Sequence, residues 1–432
     1  MESNDRYYNW EKTGAPERPW LIDYDKTLIM KMFLASKLDG GKSCKVHLTF
    51  SQALEVIRKL DVITCGAPKV IYLVGWQFNG HDSKYPAWSE VNVRLKRKQD
   101  KTALQSLRWL IRQGRRYNTT VSLHINMLDA YQDSPLWEEY LAKDIIAKDT
   151  QSNPLAAEVW GGQQSFAISY AREWETGLTV KRIDALLAMV PELKDGRTIH
   201  IDAFQTRMYR RRNEETISPY LGYTLDQETG AQRRILRYFR SQGIDVTSEY
   251  FATMRQDWFI GLQPMAWIWD VPYGFSFPPK LACSTPMRAE TEIKADPKGL
   301  TGLQESFCLN AAPWLWSNHR RHDHEENAPT PQEWGRVKQL DSCCVPLLWR
   351  KEKSLIAFSR LDDERVWRLP ADWKGVKRVR LRKVASDGSS LSAAGAASVV
   401  DGKLKLSLKA CEVLLITEKQ EAQPKTTHAG KK

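Results

Sequence analysis

Two patterns in the sequence predict an α/β fold, a (β/α)8 TIM barrel followed by a C-terminal all-β domain of the antiparallel sandwich type. From about residue 23 to residue 318, strand-like and helix-like segments alternate, as they do where helices join parallel strands. After residue 331, short strand-like segments are separated by polar and Gly- or Ser-rich turns. The predicted units are an N-terminal arm (1–22), a catalytic barrel (23–335), a β-domain (339–418) and a disordered polar tail (419–432).

Side-chain periodicity predicts the elements of the barrel in order. A strand alternates its side chains between two faces, whereas a helix repeats apolar residues three or four positions apart. Helices are predicted from the cap residues Ser51, Asp100 and Asp226, and another carries the apolar stripe of Ile183 and Leu187. Strands are predicted at 27–35, 70–76, 119–126, 197–204, 244–251 and 264–270, and the segment 305–316 is predicted to supply the last one.

The composition fits a large folded protein and leaves the role of its tryptophans open. Hydrophobic residues make up 42% of the 432 residues, which allows a substantial core. Trp (17) outnumbers Tyr (15) and Phe (12), which indicates either a Trp-rich core or surfaces that stack on flat ligands such as sugars.

The net charge of +12 raises the question of nucleic-acid binding. The densest basic runs, at 94–98, 207–212 and 377–383, lie far apart and match no helix-turn-helix, RRM or zinc-finger pattern. A solvated basic surface is therefore expected and no nucleic-acid partner is predicted, while a basic nucleic-acid binder stays the third alternative, to be recognised by a steep loss of affinity with salt.

The cysteines and histidines predict neither a disulfide framework nor a metal site. The seven cysteines include no C-x-x-C pair. His319, His322 and His324 stand among Arg and Glu residues, which favours a solvated loop over a metal cluster. No cofactor and no metal are predicted, and the oligomeric state stays open.

The ends and apolar runs of the sequence bear on location. The first residues lack the apolar stretch of a secretory signal, and no apolar run approaches the ~20 residues of a membrane span. No membrane span is predicted.

Polar residues are predicted to face the inside of the barrel at the carboxyl ends of three strands. Alternation turns His124 and Asn126 inward on one strand, His200 and Asp202 on the next, and Glu249 on the third. Branched aliphatic side chains normally fill barrel interiors, so this pattern predicts a functional mouth. A buried salt-bridge network is the alternative, but these three strands offer only histidines as basic partners.

Two carboxylates on successive strands, Asp202 and Glu249, favour work on a glycosidic bond. Retaining glycosidases hold such a pair ~5–5.5 Å apart, whereas inverting enzymes leave ~6.5–9.5 Å for a water molecule. Neighbouring strands lie ~4.7–4.9 Å apart, so carboxylates at matched heights reach the shorter distance. Apolar neighbours of Glu249 would suit a proton donor, but the residues alone leave the two roles open.

Five stretches of uncommon composition lie between roughly Leu28 and Asp270: LVGWQFNGHDSKYP, TTVSLHINMLDAY, VWGGQQSFAISYAREW, IHIDAF and GIDVTSEYF. Together they resemble the catalytic module of the endo-α-N-acetylgalactosaminidases, glycoside hydrolase family 101. It implies a (β/α)8 barrel followed by β-sandwich domains. It also implies a retaining hydrolase that releases Gal-β1,3-GalNAc from Ser or Thr of mucin-type O-glycoproteins, so an O-glycoprotein or oligosaccharide is the expected partner. A secreted or periplasmic location would follow from the resemblance, and a cytoplasmic one stays open.

The resemblance assigns roles to residues at the predicted mouth. Asp202 matches the nucleophile and Glu249 the acid/base. Asp82 matches a carboxylate that binds sugar hydroxyls, Asn126 a residue near the −1 sugar, and Trp160 an aromatic loop residue over the substrate. The full set of predicted substrate-binding residues is Asp82, His81, Asn126, His124, Trp76, Trp160, Trp269 and Asp270.

The sequence also departs from the family pattern. It is shorter than the large members, and a basic insertion at 207–227, expected to rim the cleft, lies between Asp202 and Glu249. A related exo-acting α-galactosaminidase or α-galactosidase, and a non-catalytic carbohydrate-binding barrel, are therefore the alternative functions.

Overall fold

The computed structural model describes residues 5–204, 217–250, 258–322 and 341–418, with only the backbone of Val271, Pro272 and His322. Residues 207–216 of the predicted insertion, His324 and the predicted tail lie outside these ranges. The strands are β1 (Leu28–Phe33), β2 (Ala35–Leu38), β3 (Ser43–Val46), β4 (Lys69–Val74), β5 (Thr119–Asn126), β6 (Asp129–Ala130), β7 (Ala156–Trp160), β8 (Gln163–Ala167), β9 (Thr198–Asp202), β10 (Asp245–Thr247), β11 (Ser342–Pro346), β12 (Ser354–Ser359), β13 (Asp363–Arg368), β14 (Arg378–Val384), β15 (Leu391–Val400), β16 (Lys403–Leu408) and β17 (Glu412–Glu418). The helices are α1 (Trp10–Thr13), α2 (Phe50–Ile63), α3 (Ala103–Gly114), α4 (Trp137–Ala142), α5 (Tyr170–Glu175), α6 (Leu178–Met189), α7 (Glu192–Gly196), α8 (Leu225–Ser241), α9 (Val271–Gly274), α10 (Glu290–Ala295), α11 (Leu303–Ser306) and α12 (Ala312–His322).

A five-stranded parallel sheet forms the centre of the first half of the chain. Its order is β1-β4-β5-β9-β10, and helices α2, α3 and α6–α8 fall between its strands in sequence. The register sets Asn126 opposite Asp202 and Thr247 opposite His200. Single parallel bridges continue both edges, from Ile29 to Pro286 and from Tyr250 to Ile268. The α/β architecture and the first five predicted strands are confirmed.

The caps of three helices each lie two residues from the predicted position, because a threonine and a glutamine form the cap together. Thr49, Thr102 and Thr224 accept the backbone N–H three residues ahead, and Gln52, Gln105 and Gln227 reach back to the cap N–H. This reciprocal capping satisfies two backbone donors at once, which a lone Ser51, Asp100 or Asp226 cannot do.

The prediction of a last strand at 305–316 is wrong, because this segment is helical. It runs through α11, a π-helical turn at Phe307–Ala311 and α12. Phe307, Ala311 and Leu315 recur at helical spacing and are buried, which is the pattern of a core-facing helix. The segment 264–270, predicted as a strand, contributes only the bridge at Ile268.

The C-terminal part is an antiparallel seven-stranded sheet with the order β11-β12-β17-β14-β15-β16-β13. One face encloses a small apolar core that includes Leu355, Leu404 and Ile416. The opposite side of β12 and β17 contributes Phe358 and Leu415 to the core of the α/β half. The predicted all-β region is confirmed, and it shares a continuous apolar core with the first half.

Among the described residues, no helix is both long enough and apolar enough to cross a membrane.

Candidate active site

Asp202 and Glu249 meet at the carboxyl edge of the parallel sheet. Asp202 is the last residue of β9, and Glu249 stands two residues beyond the neighbouring β10. One carboxylate oxygen of each lies within 4.8 Å of the other and of a ring nitrogen of His200. Both side chains keep some exposure, 19% for Asp202 and 14% for Glu249, so they are shielded but reachable. The predicted proximity of the two carboxylates is confirmed.

Lys31 on β1 completes this cluster. Its Nζ lies 2.9 Å from Glu249 Oε1 and 4.5 Å from the ring centroid of Trp267, and only 7% of its side chain is exposed. Sequence reasoning missed this residue. Alternation along β1 could have found it. Ile29 packs in a small apolar cluster that contains Trp267, whereas Met30, the next residue, packs in the main core on the other side of the sheet. Lys31 shares the parity of Ile29 and therefore faces inward.

Three histidine rings form a row beside the carboxylates. His124 stacks on His200 at 5.4 Å between ring centroids, and His81 meets His124 edge-on at 5.3 Å. His124 Nε2 lies 3.4 Å from Asp202 Oδ2, and His200 Nδ1 lies 2.9 Å from Thr247 Oγ1. His124 and His200 therefore lie on the same side of the sheet as Asp202, as the alternation predicts.

The surroundings separate the acidities of the two carboxyl groups. Burial works against ionisation of Asp202, but His124 and the Lys31 ammonium outweigh it and hold its pKa well below the ordinary aspartate value. Burial raises the pKa of Glu249, Lys31 opposes that rise, and the negative charge of Asp202 adds to it, so the pKa stays above the ordinary glutamate value. Two carboxyl groups with pKa values displaced in opposite directions are suited to opposite roles.

Burial and nearby charges set the protonation states of Lys31, His124 and His200. Burial works against the charge of Lys31, but Glu249 and Asp202 outweigh it and raise its pKa, so the ammonium stays charged. Burial lowers the pKa of His124 to about 4, and the pKa of His200 is also well below its ordinary value. At neutral pH both imidazoles are therefore uncharged, and Lys31 supplies the positive charge next to the carboxylate pair.

The loop after β4 places Asp82 and His81 at the rim. Gly75 has φ +74°, and a Cβ there would overlap the carbonyl oxygen of Ala35, so only glycine allows this close crossing. The backbone oxygen of Asp82 accepts a 2.5 Å hydrogen bond from Lys37 Nζ. His81 Nε2 lies 3.5 Å from Asp82 Oδ2.

Trp76 and Asn126 have buried side chains that are hydrogen-bonded within the protein. Trp76 is fully buried, and its Nε1 donates to the carbonyl oxygen of His124 at 3.0 Å. The Oδ1 of Asn126 accepts the backbone N–H groups of Leu128 and Asp129, and its Nδ2 donates to Asp129 Oδ2 at 2.8 Å. These contacts hold the backbone at the carboxyl ends of two neighbouring strands, and the sugar contact expected of both residues stays a prediction.

The remaining predicted binding residues, Trp160, Trp269 and Asp270, lie outside the strands of the parallel sheet. Trp160 ends β7, and the turn after it packs against Lys37, so it is joined to the loop that carries Asp82. Trp269 is half-buried, lies 5.9 Å from the ring of Trp267, and is followed by half-buried Asp270.

Two donor groups within the cluster come close enough to surround a cation. His81, His124 and Asp202 form one group, and His200, Asp202 and Glu249 the other, each with donor atoms within 4.8 Å of one another. Lys31 already places a positive charge 2.9 Å from Glu249, which would repel a second cation. The arrangement therefore suits nucleophilic and proton-transfer chemistry better than metal chemistry.

Comparisons with known proteins agree with this chemistry at the level of family. The profile of the family described as endo-alpha-N-acetylgalactosaminidase, glycoside hydrolase family 101, matches residues 42–275. That range includes Asp82, Asp202 and Glu249 and covers more than half of the chain. No curated protein matches the sequence.

Solved structures resemble the chain only distantly. The alpha-N-acetylgalactosaminidase NagBb from Bifidobacterium bifidum, in its GalNAc complex, has 13% identity and a TM-score of 0.43, over 59% of this chain and 38% of that one. The GH36 alpha-galactosidase AgaB from Geobacillus stearothermophilus has 12% identity and a TM-score of 0.44, over 93% of this chain and 56% of that one. The chain thus spans well under half the length of the NagBb chain.

Proposed function

Because the chain belongs to glycoside hydrolase family 101, the endo-α-N-acetylgalactosaminidases, we propose that it is a retaining glycosidase acting on mucin-type O-glycans. Its substrate would be an α-linked GalNAc, in the form of Gal-β1,3-GalNAc, attached to Ser or Thr. The observation that carries the proposal is the approach of Asp202 and Glu249 to within 4.8 Å between carboxylate oxygens. That approach is closer to the ~5–5.5 Å separation of retaining enzymes than to the ~6.5–9.5 Å of inverting ones, and so supports the retaining assignment.

The opposite displacement of the two pKa values supports the assignment of roles. Asp202 is held ionised and can attack the anomeric carbon, while Glu249 retains its proton and gives it to the departing glycosidic oxygen. The bond from the anomeric carbon to the Ser or Thr oxygen breaks as the bond to Asp202 forms. In the second half, Glu249 takes a proton from water, the oxygen of that water attacks the anomeric carbon, and Asp202 leaves as carboxylate.

Lys31 would serve both halves of this cycle. Since its Nζ binds Glu249 Oε1, the proton of Glu249 is directed to Oε2. Once Asp202 is esterified, its negative charge disappears while Lys31 remains, so the pKa of Glu249 falls and the group becomes a base. The same lysine thereby favours the ionisation that the second half requires.

We further infer that the parallel sheet closes into a barrel and that the β-domain folds over as a sandwich. Lys31 and Glu249 touch although β1 and β10 end the five-strand order. The apolar cluster that joins Leu355 of β12 to Leu404 of β16 across the seven-stranded sheet favours the sandwich. The hydrogen bonds that support barrel closure are Tyr250 N to Trp267 O, Trp269 N to Tyr250 O, Met265 N to Leu281 O, Ser284 N to Met265 O and Met287 N to Ile29 O.

Release of p-nitrophenol from the α-linked Gal-β1,3-GalNAc and α-linked GalNAc glycosides tests the proposal. We expect turnover of the disaccharide glycoside, its loss in Asp202→Ala, and rescue of that variant by azide to give the opposite anomer of the glycosyl azide. Glu192→Gln is the matched control, because Glu192 is also shielded (8% exposed) but binds Arg108 and Arg112 away from the mouth.

Three other outcomes would redirect the proposal. Turnover of the monosaccharide glycoside alone would support an exo-acting α-galactosaminidase. Turnover of p-nitrophenyl α-galactoside, assayed as a third substrate, would support an α-galactosidase. Sugar binding without any turnover would identify a carbohydrate-binding barrel and overturn the enzymatic assignment.

A further inference from the structure

The outer face of the β-domain carries a basic strip that the proposed catalysis does not use. On β14, Arg378 and Arg380 are exposed while the intervening Val379 is buried. On β16, Lys403 is exposed while Leu404 is buried, and Arg368 of β13 lies directly opposite Lys403. These four cations, Arg368, Arg378, Arg380 and Lys403, are referred to below as the basic strip.

Register places the four cations on the same side of the strand ribbon, the side away from the small apolar core. Arg378 pairs with Ser398 of β15, and Val400, on the same side of that strand, pairs with Lys403. Because the ribbon folds over that core, the two arginines of β14 lie on one side of the bend at β15 and the other two cations on the opposite side, with roughly 7 Å between alternate residues along a strand. The spacing is too wide for one phosphate-sized ion and suits an extended chain with repeated negative charges.

The members of the strip lack acidic partners. Among the residues that the structure describes, no hydrogen bond or ion pair links the side chain of any of the four to a carboxylate. Other cations of the same sheet do have such partners, since Lys405 binds Glu364 and Lys383 lies 3.2 Å from Glu412. The strip therefore retains its full charge toward solvent.

The rest of this face is small or apolar rather than aromatic. Between β14 and β16, strand β15 presents mainly Ala, Gly and Ser, and Val366 and Val400 are 55% and 65% exposed. Single-stranded nucleic acids are usually bound on exposed aromatic side chains. The one aromatic residue of β13, Trp367, packs toward the β-domain core instead. Exposed cations without exposed aromatic side chains favour the binding of a polyanion whose negative groups project from a non-planar backbone.

We propose that the basic strip binds acidic glycan chains, bearing carboxylates or sulfates, of the same glycoprotein that the barrel hydrolyses. The choice of a glycan rests on the proposed function, whereas the preference for a polyanion rests on the strip alone. Such binding would hold a large acidic substrate near the enzyme without touching the mouth. It would leave small neutral glycosides unaffected.

Binding is measured with the inactive Asp202→Ala chain, so that its outcome is independent of turnover. The test variant neutralises the strip with R368Q, R378Q, R380Q and K403Q. The matched control removes the same charge from exposed cations of the α/β half with K98Q, K101Q, R116Q and K194Q. The probes are a sialylated mucin, the same mucin after desialylation, dextran sulfate, unsulfated dextran and single-stranded DNA.

We expect the test variant to bind sialylated mucin and dextran sulfate at least ~10-fold more weakly, with a smaller dependence of affinity on salt. The control should change less than ~2-fold, and the neutral probes should bind none of the chains through this face. Equal weakening in test and control would reduce the effect to net charge and overturn the proposal. Tighter binding of DNA than of either acidic glycan, with the same dependence on the strip, would replace the glycan with a nucleic acid.

Discussion

Lys31 Nζ on β1 lies 2.9 Å from Glu249 Oε1 after β10, although their strands lie at opposite ends of the five-strand order. The contact requires the sheet to curve until its two edge strands approach each other, and it also sets the charge beside Asp202. In the proposed barrel, it places an ammonium group where branched aliphatic side chains usually fill the interior.

Replacing Lys31 by methionine should slow the second half of the reaction more than the first. With a p-nitrophenyl glycoside, the leaving group needs little help from an acid, but the attacking water needs ionised Glu249. We expect kcat to fall ~10–100-fold. A burst of about one p-nitrophenol per active site should precede the steady state, because the glycosyl-enzyme accumulates.

Lys69→Met is the matched control for that experiment. Lys69 is also a buried lysine on a parallel strand, 2.8 Å from Asp61. It is the first residue of β4, however, and so lies at the amino end of the strands, away from the carboxylate pair. This variant should lose stability without any burst. If Lys31→Met behaved in the same way as Lys69→Met, the proposed role of Lys31 would be wrong.

The pH dependence of kcat/KM should have two limbs with assigned signs. Activity is expected to fall at low pH as Asp202 gains a proton, and at high pH as Glu249 loses its proton. Because Lys31 lowers both pKa values, Lys31→Met should move both limbs toward higher pH. A Ser-linked glycopeptide is the substrate for this measurement, since its poor leaving group requires the acid, and limbs that do not move would contradict the assignment.

Buried Glu228 should make stability fall between about pH 4.5 and pH 7. Burial raises its pKa from 4.5 to about 7, while the hydrogen bonds from Ser169 and Ala171 work against this rise. The folded state therefore keeps its proton longer than the unfolded state. The stabilisation is complete below the unfolded pKa and is lost as the pH rises through the folded one.

Glu228→Gln should remove a fall in the free energy of unfolding on the order of 3 kcal/mol across that window. The dependence of Tm on pH should flatten accordingly. Calorimetric scans at several pH values measure it. Glu192→Gln serves for comparison, because Arg108 and Arg112 lower the pKa of Glu192 against the effect of burial, and its removal should leave the slope in this window unchanged.

Gly75→Ala should destabilise the protein and disturb the rim loop. The new Cβ would overlap the Ala35 carbonyl and would also require a left-handed backbone, so we expect a loss above ~2 kcal/mol together with a raised KM. Gly177→Ala measures the cost of the left-handed backbone alone, because Gly177 has φ +73° and an added Cβ would meet no neighbouring atom. It should cost only ~1 kcal/mol and leave KM unchanged.

The sequence predicted most of the mouth because alternation along a strand is a strong local rule. Asp202, Glu249, His124 and His200 could all be placed inward from their own strands. Lys31 was missed because the residues on both sides of it in β1 are apolar, which hides the alternation, and the partner that explains it lies 218 residues away. No local pattern carries that pairing.

The errors in the predicted elements also have physical causes. The segment at 305–316 contains enough apolar and aromatic residues to suit a strand, and only the burial of Phe307, Ala311 and Leu315 on one side identifies it as helical. The hydrogen bonds of Trp76 and Asn126 to neighbouring backbone could not be predicted either, because they depend on tertiary geometry that single-strand reasoning does not contain.

The position of β17 has a consequence for how the protein is made. This strand is the last described element of the chain, yet it lies between β12 and β14 and contributes Val413 and Leu415 to the core of the α/β half. On the ribosome, β12 and β14 emerge before their shared neighbour exists, and the apolar surface that β17 covers waits for it. The fold can therefore be completed only after β17 has left the ribosome, and a stalled nascent chain that ends before Glu412 would present that surface to chaperones.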